Sequence, residues 1–207
     1  MKADMYITDF DGTVILENSS RVFEKIILKH SHKNRYLTYL MFFSKFEKYF
    51  DYLFHLISNM TSKTDLRLQI FLILQQEIIK KEYSTIIDEV THSLNINKKV
   101  YLKIKKKEFA ILSNGLYPII KKFSKYHKLN PKCIIASKGA IQNGRLVINL
   151  RSLKDKTKYL QDIRSFIYLS DNHKEITDMM SALNITNVKA FNAEGITLYE
   201  LQKFDYL

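Results

Sequence analysis

The chain has 207 residues, 46% of them hydrophobic, and its 33 Lys and Arg residues outnumber its 21 Asp and Glu residues to give a formal charge of +12. This length suits one domain, or one domain with an inserted subdomain, and the low counts of glycine and proline, 5 and 2, exclude a largely disordered chain. The charge predicts attraction to anions, whether phosphorylated substrates, nucleic acid or acidic membrane surfaces, without choosing among them.

A short apolar strand at residues 5–7 comes first and is followed by the run Asp9-Phe10-Asp11-Gly12-Thr13. At the end of a strand, where Gly12 lets the chain turn sharply, both carboxylates can be directed into one site. Two negative charges held so close need a cation, and their hard oxygen atoms suit Mg²⁺. One carboxylate can then attack an electrophile while the other transfers a proton, so the run predicts a catalytic site.

A long helical stretch follows, from Asn18-Ser19-Ser20, which can cap a helix beginning near Arg21, to about Lys105. Within it, residues 36–58 are apolar over most of a helix perimeter, and residues 66–79 behave similarly. The polar side chains of the first segment form one narrow stripe: Ser44, Lys48, Asp51, His55 and Ser58. This pattern favours a helical bundle with packed apolar faces; the alternatives are a helix lying in a membrane interface or a groove for an apolar substrate tail.

From residue 109 onward, predicted strands alternate with predicted helices, which indicates a mostly parallel sheet with helices on both faces. Strands are predicted at 109–112, 133–136, 166–169 and 188–191, and helices from about 116, at 156–165 and at 174–183. The turn signal Asn143-Gly144 predicts a hairpin that includes residues 146–150. In such sheets ligands bind beyond the carboxyl ends of the strands, where Asp9, Ser113 and Asp171 all fall.

The run from Asp9 to Thr13 resembles the first motif of the haloacid dehalogenase (HAD) superfamily, whose members are mostly phosphoryl-transfer enzymes. The helical insertion directly after it resembles the cap of the phosphoserine-phosphatase-like subgroup, which closes over the site and chooses the substrate. The resemblance implies an α/β fold, a Rossmann-like parallel sheet with helices on both faces plus an inserted α-helical cap. It divides the chain into a core domain, residues 1–15 and 106–207, and a cap subdomain, residues 16–105.

The resemblance also implies roles for the first two motifs. Asp9 would be the nucleophile that forms an aspartyl-phosphate, and Asp11 the general acid and base, a second aspartate that dehalogenase members lack. Ser113 matches the second motif by position, and its hydroxyl, with the following Asn114 and Gly115, is expected to bind a phosphate oxygen at the start of a helix. A serine before a helix is also an ordinary helix cap.

A lysine and a carboxylate at a strand end complete the implied set. Lys156 begins an amphipathic pattern before the fourth motif and is the expected third-motif lysine, catalytic and substrate-binding, ahead of Lys158 and Lys154. Asp171 ends the apolar run of the fourth motif and is expected to bind Mg²⁺ together with Asp9 and with the main-chain carbonyl of Asp11.

The residues that follow Asp171 depart from the family pattern. Glu175 stands four positions on, where the family often has an aspartate, so it is a possible second acid whose role stays open, and Asp178 is a further candidate. Asn172 and His173 lie in the same loop, where they either line the site or form an exposed polar loop; for His173 the exposed loop is favoured.

These motifs predict a Mg²⁺-dependent phosphatase that hydrolyses a phosphomonoester of a small molecule. The alternatives are a peripheral membrane phosphatase acting on a lipid or other apolar phosphate, and a catalytically drifted binding module. Lysine-rich stretches at 103–107 and 121–128 precede strands and therefore lie opposite the predicted site, where a solvated face is favoured over contact with an anionic surface. Nucleic-acid binding rests on charge alone and is disfavoured, and the sequence does not indicate an oligomeric state.

The cysteine count and the distribution of apolar residues indicate the cellular compartment of the protein. The one cysteine, Cys133, excludes an intramolecular disulfide and fits a reducing compartment. The early acidic residues Asp4, Asp9 and Asp11 argue against a signal peptide, and no run approaches the ~20 apolar residues of a membrane span. We therefore expect a cytoplasmic protein, with peripheral membrane contact as the alternative.

Overall fold

The computed structural model describes residues 5–31, 38–39, 49, 66–142, 145–149, 153–193 and 196–204. Within these ranges seven strands form one sheet. They are β1 Tyr6–Thr8, β2 Phe109–Leu116, β3 Ile134–Gln142, β4 Arg145–Asn149, β5 Phe166–Ser170, β6 Val188–Ala193 and β7 Ile196–Lys203. The strand order is β4-β3-β2-β1-β5-β7-β6, which places β1 at the centre of the sheet.

The middle of the sheet is parallel and both of its edges are antiparallel. Strand β1 pairs in parallel with β2 and β5, and β2 pairs in parallel with β3. Strand β4 returns along β3 in the predicted hairpin, whose turn at Asn143-Gly144 lies outside the described residues. On the other side, β7 runs antiparallel to both β5 and β6. The predicted parallel sheet is therefore present at the centre, while β7 was not predicted.

Seven helices connect these strands within the described residues. They are α1 Ser19–His30, α2 Leu66–Leu74, α3 Gln76–Ser93, α4 Lys98–Ile104, α5 Tyr117–Tyr126, α6 Leu153–Gln161 and α7 His173–Leu183. Asparagine side chains cap three of them, since Asn18, Asn97 and Asn172 each accept a hydrogen bond from a main-chain N–H in the first turn. None of the helices in the described ranges combines the length and the apolar character needed to cross a bilayer.

Helices cover both faces of the sheet, as predicted. One buried cluster contains Phe23 of α1, Ile86 of α3 and Phe123 of α5 together with Phe109 of β2. The cluster on the other face contains side chains of α6 and α7 and of the strands beneath them: Leu160, Ile176, Met179, Ile7, Leu112, Phe166 and Tyr168. Strands buried on both faces are typical of a parallel sheet covered by helices, and the chain therefore has an α/β fold.

The chain leaves the sheet after β1 and returns to it before β2 along a paired connection. Ile15 and Ile96 form an antiparallel bridge, and the Leu16 N–H donates to the Asn95 carbonyl at 3.0 Å. Helices α1, α2 and α3 lie between these two segments and α4 follows the second, so the described part of the insertion is helical. Because α1 and α3 share one buried cluster with the sheet, they pack directly on the core. The division into core and cap at residues 16 and 105 stays a prediction.

The predicted apolar helix at 66–79 is interrupted. Helix α2 ends at Leu74 and α3 begins at Gln76, while Gln75 between them is buried and its side-chain amide donates to the hydroxyl of Thr38 at 3.1 Å. Much of the predicted helix at 36–58 lies outside the described residues, including its polar stripe of Ser44, Lys48, Asp51, His55 and Ser58. Tyr39 and Tyr49, predicted to be apolar packing positions, are 54% and 66% exposed.

Candidate active site

Asp9 stands at the carboxyl end of β1 and is held by both neighbouring elements. Its N–H donates to the Leu169 carbonyl of β5 at 2.9 Å, which continues the pairing of the two strands beyond Thr8. Its Oδ1 accepts a hydrogen bond from the Phe10 N–H at 2.7 Å, and its Oδ2 accepts one from Lys156 Nζ at 3.0 Å. The carboxylate is thus buried, fixed in orientation and paired with a cation.

A sharp turn after Asp9 brings the first motif against the end of β5. Gly12 has a φ of +70°, and a Cβ at this position would lie 2.1 Å from Asp171 Oδ2, so no larger residue fits. Thr13 Oγ1 donates to Asp171 Oδ1 at 3.1 Å and accepts from the Asp171 N–H at 3.0 Å. Thr13 belongs to the quoted motif, but sequence reasoning gave it no role; the structure shows that it fixes Asp171.

The Asp11 carboxyl group faces the start of α1 and the loop of the second motif. Its Oδ1 accepts a hydrogen bond from the Ser19 N–H at 2.7 Å, and a Cβ on Gly115 would lie 2.9 Å from its Oδ2. Burial raises the pKa of Asp11 to about 6, against the lowering effect of the Ser19 hydrogen bonds and with a smaller raising contribution from the Asp9 charge. A carboxyl group with this pKa can both give and take a proton near neutral pH.

The second motif lies in a bulge of β2 rather than beyond its end. The strand was predicted to stop at residue 112, but it continues to Leu116, with a shift in its pairing to β3 between Leu112 and Leu116. Within the bulge, the buried Ser113 Oγ accepts a hydrogen bond from the Gly115 N–H at 3.0 Å. The Asn114 carbonyl accepts one from the Ser137 hydroxyl at 2.6 Å, so β3 supports this loop.

Lys156 reaches Asp9 from α6, and only 1% of it is exposed. Its Nζ lies 3.0 Å from Glu175 Oε2 and 3.2 Å from Glu175 Oε1. Burial alone would lower the pKa of Lys156, but the nearby carboxylates of Asp9 and Glu175 outweigh it and raise the pKa above its usual value. Of the competing lysines, Lys158 is exposed, and the side chain of Lys154 lies outside what is described.

Glu175 faces inward, towards Lys156, and not towards solvent. It is buried in the first turn of α7, and its Oε1 accepts a hydrogen bond from the Tyr168 hydroxyl at 2.5 Å. Burial raises the pKa of Glu175 and raises that of the fully buried Tyr168 well above its usual value. Sequence reasoning missed Tyr168, because its place in the strand run 166–169 indicates only a packed side chain. The other acidic candidate, Asp178, is exposed on α7.

These residues surround one open pocket of about 790 Å³ at the carboxyl ends of β1, β2 and β5. Its lining includes the four acidic candidates and the second-motif residues Asp9, Asp11, Asp171, Glu175, Ser113 and Asn114. Residues 16–18 and 172–174 form its rim. Asn172 and His173 line the pocket there and are both exposed, as was favoured for His173, whose ring also packs against the Tyr199 ring at 4.9 Å. Lys156 lies behind Asp9 and Glu175, below the floor of the pocket.

The charges around the pocket suit a divalent cation. Five carboxyl groups line it, because Glu17 joins the four named above, whereas the lining includes one ammonium group, that of the exposed Lys174. The buried ammonium group of Lys156 lies against Asp9 and Glu175. Asp171 Oδ1 accepts a hydrogen bond from Thr13, whereas Asp171 Oδ2 occupies the space that a side chain on Gly12 would fill. In the described ranges no three His, Cys, Asp or Glu side chains form a ready metal cluster, and the Asp11 carboxyl group faces Ser19. Asp9 and Asp171 are therefore the side chains that fit a cation.

Comparisons with known proteins find matches among solved structures. No family model matches the sequence, and no curated protein matches it either. An apo phosphoserine phosphatase is 11% identical, with a TM-score of 0.49, over 89% of this chain and 84% of that chain. A substrate-bound phosphoserine phosphatase is 12% identical, with a TM-score of 0.42, over 79% of this chain and 71% of that one.

A HAD family hydrolase from Salmonella enterica subsp. enterica serovar Typhi is 13% identical, with a TM-score of 0.45, over 90% of this chain. The match covers 54% of that protein, so the present chain spans about half of its length. Solved structures similar to this chain thus include HAD hydrolases and phosphoserine phosphatases, and the activities in those names belong to those proteins.

Proposed function

We propose that this chain is a Mg²⁺-dependent phosphatase of the HAD superfamily, similar to phosphoserine phosphatases, which hydrolyses a phosphomonoester through an aspartyl-phosphate on Asp9. One observation carries the proposal. The Asp9 carboxylate is fixed by Lys156 at 3.0 Å in a pocket that Asp11, Asp171 and Ser113 also line. A buried carboxylate and an acid of raised pKa in one pocket, with a buried cation directly behind the carboxylate, are the parts that nucleophilic phosphoryl transfer requires.

Asp9 supplies the nucleophile. A carboxylate oxygen forms a bond to phosphorus, the bond from phosphorus to the ester oxygen breaks, and water later hydrolyses the aspartyl-phosphate. The Phe10 N–H and Lys156 Nζ each hold one oxygen of Asp9, which keeps the carboxylate aligned for attack. The Lys156 ammonium also offsets negative charge that gathers between the carboxylates and the phosphoryl group.

Asp11 transfers the proton in both halves of the reaction. Its pKa of about 6 leaves a protonated fraction near neutral pH, which can protonate the departing ester oxygen. The resulting carboxylate then takes a proton from the water that attacks the aspartyl-phosphate. The Ser19 N–H orients Asp11 through Oδ1, at 2.7 Å.

Ser113 and Asn114, which line the pocket, bind the phosphate in this proposal, and Gly115 supports Ser113. The Ser113 Oγ accepts a hydrogen bond from the Gly115 N–H, so its own proton can be donated to a phosphate oxygen. Asp9 and Asp171 are the side chains that would hold Mg²⁺, and the resemblance adds the main-chain carbonyl of Asp11. When bound, Mg²⁺ would neutralise charge on the phosphate and on these carboxylates.

The substrate class that we propose is a phosphorylated small molecule, since a pocket of about 790 Å³ has the size of a small-molecule site. A cytoplasmic location remains part of this proposal. The two alternatives, a peripheral membrane phosphatase and a drifted binding module, are not favoured by any observation among the described residues.

The proposal is tested by measuring the hydrolysis of p-nitrophenyl phosphate and a panel of small phosphate monoesters with Mg²⁺. We expect turnover by the wild type and its abolition in Asp9→Asn, which keeps the shape of the side chain but removes the charge. The matched control is Asp178→Asn, because Asp178 is exposed on α7 and does not line the pocket. Activity that survives in Asp9→Asn would remove Asp9 from its role, and an inactive wild type would refute the function.

A further inference from the structure

Tyr168 places a polar group inside the packed face of β5. It lies two residues after Phe166 and two before Ser170, so the three side chains share one face of the strand, the face covered by α6 and α7. Its ring is fully buried in that cluster. A phenolic hydroxyl buried at this depth needs hydrogen-bond partners, and here it has Glu175 Oε1 at 2.5 Å and Lys156 Nζ at 3.5 Å.

The donor and acceptor roles of this hydroxyl follow from its partners. Lys156 is an ammonium group and can only donate, so the single proton of the Tyr168 hydroxyl must be donated to Glu175. With the contacts from Lys156 at 3.2 and 3.0 Å, both oxygens of Glu175 are engaged by protein donors. Its N–H is engaged as well, by the side chain of Asn172 at 3.1 Å. Glu175 is therefore fixed facing Lys156, which is not the arrangement of a free metal ligand.

The Glu175 carboxylate balances the positive charge of the buried Lys156 ammonium. Lys156 is 1% exposed, and a buried ammonium needs a carboxylate close to it. In the proposed reaction the Asp9 carboxylate becomes an acyl phosphate, which ends its simple ion pair with Lys156. Glu175 places a second carboxylate oxygen 3.0 Å from Lys156 Nζ, so the ammonium does not depend on Asp9 alone. Its side chain is one methylene longer than aspartate, and this lets it reach inward from the first turn of α7 to the tyrosine.

From these contacts we propose that Tyr168 is a positioning residue, which orients Glu175 so that Glu175 holds the Lys156 ammonium against Asp9, and that Glu175 is not a metal ligand. The inference rests on the proposed function, because it assigns a use to Lys156 in phosphoryl transfer. It gives a role to a residue of the fourth motif that the resemblance leaves without one, and it decides between two roles for Glu175.

The test compares Tyr168→Phe, which removes one hydroxyl and keeps the ring, with Tyr159→Phe as the matched control. Tyr159 lies on α6 three residues after Lys156, and its hydroxyl contacts Cys133 Sγ at 3.4 Å, away from the pocket. We measure kcat and KM for p-nitrophenyl phosphate, and the Mg²⁺ dissociation constant by calorimetry for these variants and for Glu175→Gln. A displacement of Lys156 by ~1 Å costs on the order of 100-fold in rate, so we expect at least about a tenfold loss of kcat in Tyr168→Phe.

The expected pattern is a loss of kcat with an unchanged KM in Tyr168→Phe, wild-type values in Tyr159→Phe, and an unchanged Mg²⁺ dissociation constant in all three variants. A purely structural role of Tyr168 would not confine its effect to kcat. Equal kcat values in the two tyrosine variants would overturn the proposal. So would weaker Mg²⁺ binding by Glu175→Gln, since that would make Glu175 a metal ligand.

A second readout does not depend on activity. The unfolding free energies of Tyr168→Phe, Lys156→Met and the double variant form a cycle, and we expect the two changes to be non-additive because the side chains belong to one network. Additive effects would overturn the proposal even if the enzyme is active. If the wild type proves inactive, the proposed function fails by itself, whereas a non-additive cycle would still support the link between Tyr168 and Lys156.

Discussion

Replacing Lys156 with methionine tests how strongly the pocket depends on its buried cation. Methionine has a similar length and keeps the packing of the stem, but it removes the ammonium that lies 3.0 Å from both Asp9 Oδ2 and Glu175 Oε2. Two carboxyl groups would then face each other without a positive charge between them. In the wild type these charges already raise the pKa of Lys156 in spite of its burial.

The expected loss in the free energy of unfolding follows from the burial of the ion pairs that Lys156 makes with Asp9 and Glu175. Removing one partner of a buried ion pair typically costs about 3–5 kcal/mol, because the other charge is left unpaired. For a chain of this size, about 2–4 °C per kcal/mol converts this to a fall of roughly 6–20 °C in the unfolding midpoint. Lys158→Met is the matched control, since Lys158 is exposed on the same helix, and its effect is expected within about 0.5 kcal/mol.

The same substitution has a predictable pH dependence. Burial raises the pKa of Glu175 even with Lys156 present, and loss of the ammonium removes a contribution that lowers it. An acid whose pKa is higher in the folded than in the unfolded state binds more protons when folded, so its effect on stability worsens as the pH rises above the unfolded value of about 4.3. The deficit of Lys156→Met relative to wild type is therefore smaller at about pH 5 than at about pH 7.5.

Both effects are measured by thermal and urea unfolding in the presence of EDTA, so that no bound cation offsets the carboxylates. A deficit at about pH 7.5 no larger than that of Lys158→Met would refute the view that Lys156 neutralises a buried acidic pair. A deficit that grows on acidification would refute the assignment of the pH dependence to Glu175.

Three further predictions concern the turn, the proton donor and the helical insertion. Gly12→Ala is expected to abolish activity, because its Cβ would lie 2.1 Å from Asp171 Oδ2 at a φ of +70°, and a direct assay of Mg²⁺ binding should show the loss as well. Asp11→Asn is expected to lower kcat by roughly 10²–10⁴-fold for alkyl phosphates, whereas p-nitrophenyl phosphate, whose leaving group needs no proton, should still give a burst of nitrophenol in rapid mixing. The hydrogen bond to Glu89 raises the pKa of His30. Protonated His30 therefore stabilises the fold fully below about pH 6.5, and this stabilisation is lost as the pH rises through the pKa of the folded state. The unfolding midpoints of wild type and His30→Gln are expected to converge at alkaline pH.

The helices and strands that were predicted well are marked by residues within or next to them in the sequence. The strand ending at Thr8 and the helix beginning at His173 were predicted within one or two residues, because an apolar run or a capping asparagine marks their bounds. The placement of Asp9 and Asp171 at one pocket follows from the same logic, since carboxyl ends of parallel strands share an edge.

The features that were missed depend on contacts between distant segments. Strand β7 pairs with β5 in an antiparallel sense, which no local pattern encodes. The break at Gln75 contains neither glycine nor proline, and the Gln75 side chain is hydrogen-bonded to Thr38, 37 residues away in the chain. Tyr168 and Glu175 are seven residues apart, and a strand, a turn and a helical cap lie between them. Their pairing could be predicted only with the tertiary structure of this turn in hand.

The register of β5 on β1 brings together pocket residues that are far apart in the chain. Strand β5 pairs with β1 so that Tyr168 lies beside Ile7, and the N–H of Asp9 continues this pairing by donating to the carbonyl of Leu169. A slip of one residue would turn Tyr168 to the opposite face of the sheet, away from Glu175. It would also move the end of β5 relative to Asp9. The buried partners of Lys156 would then be lost together, so the packing of β5 on β1 and the charge balance of the pocket stabilise the same register.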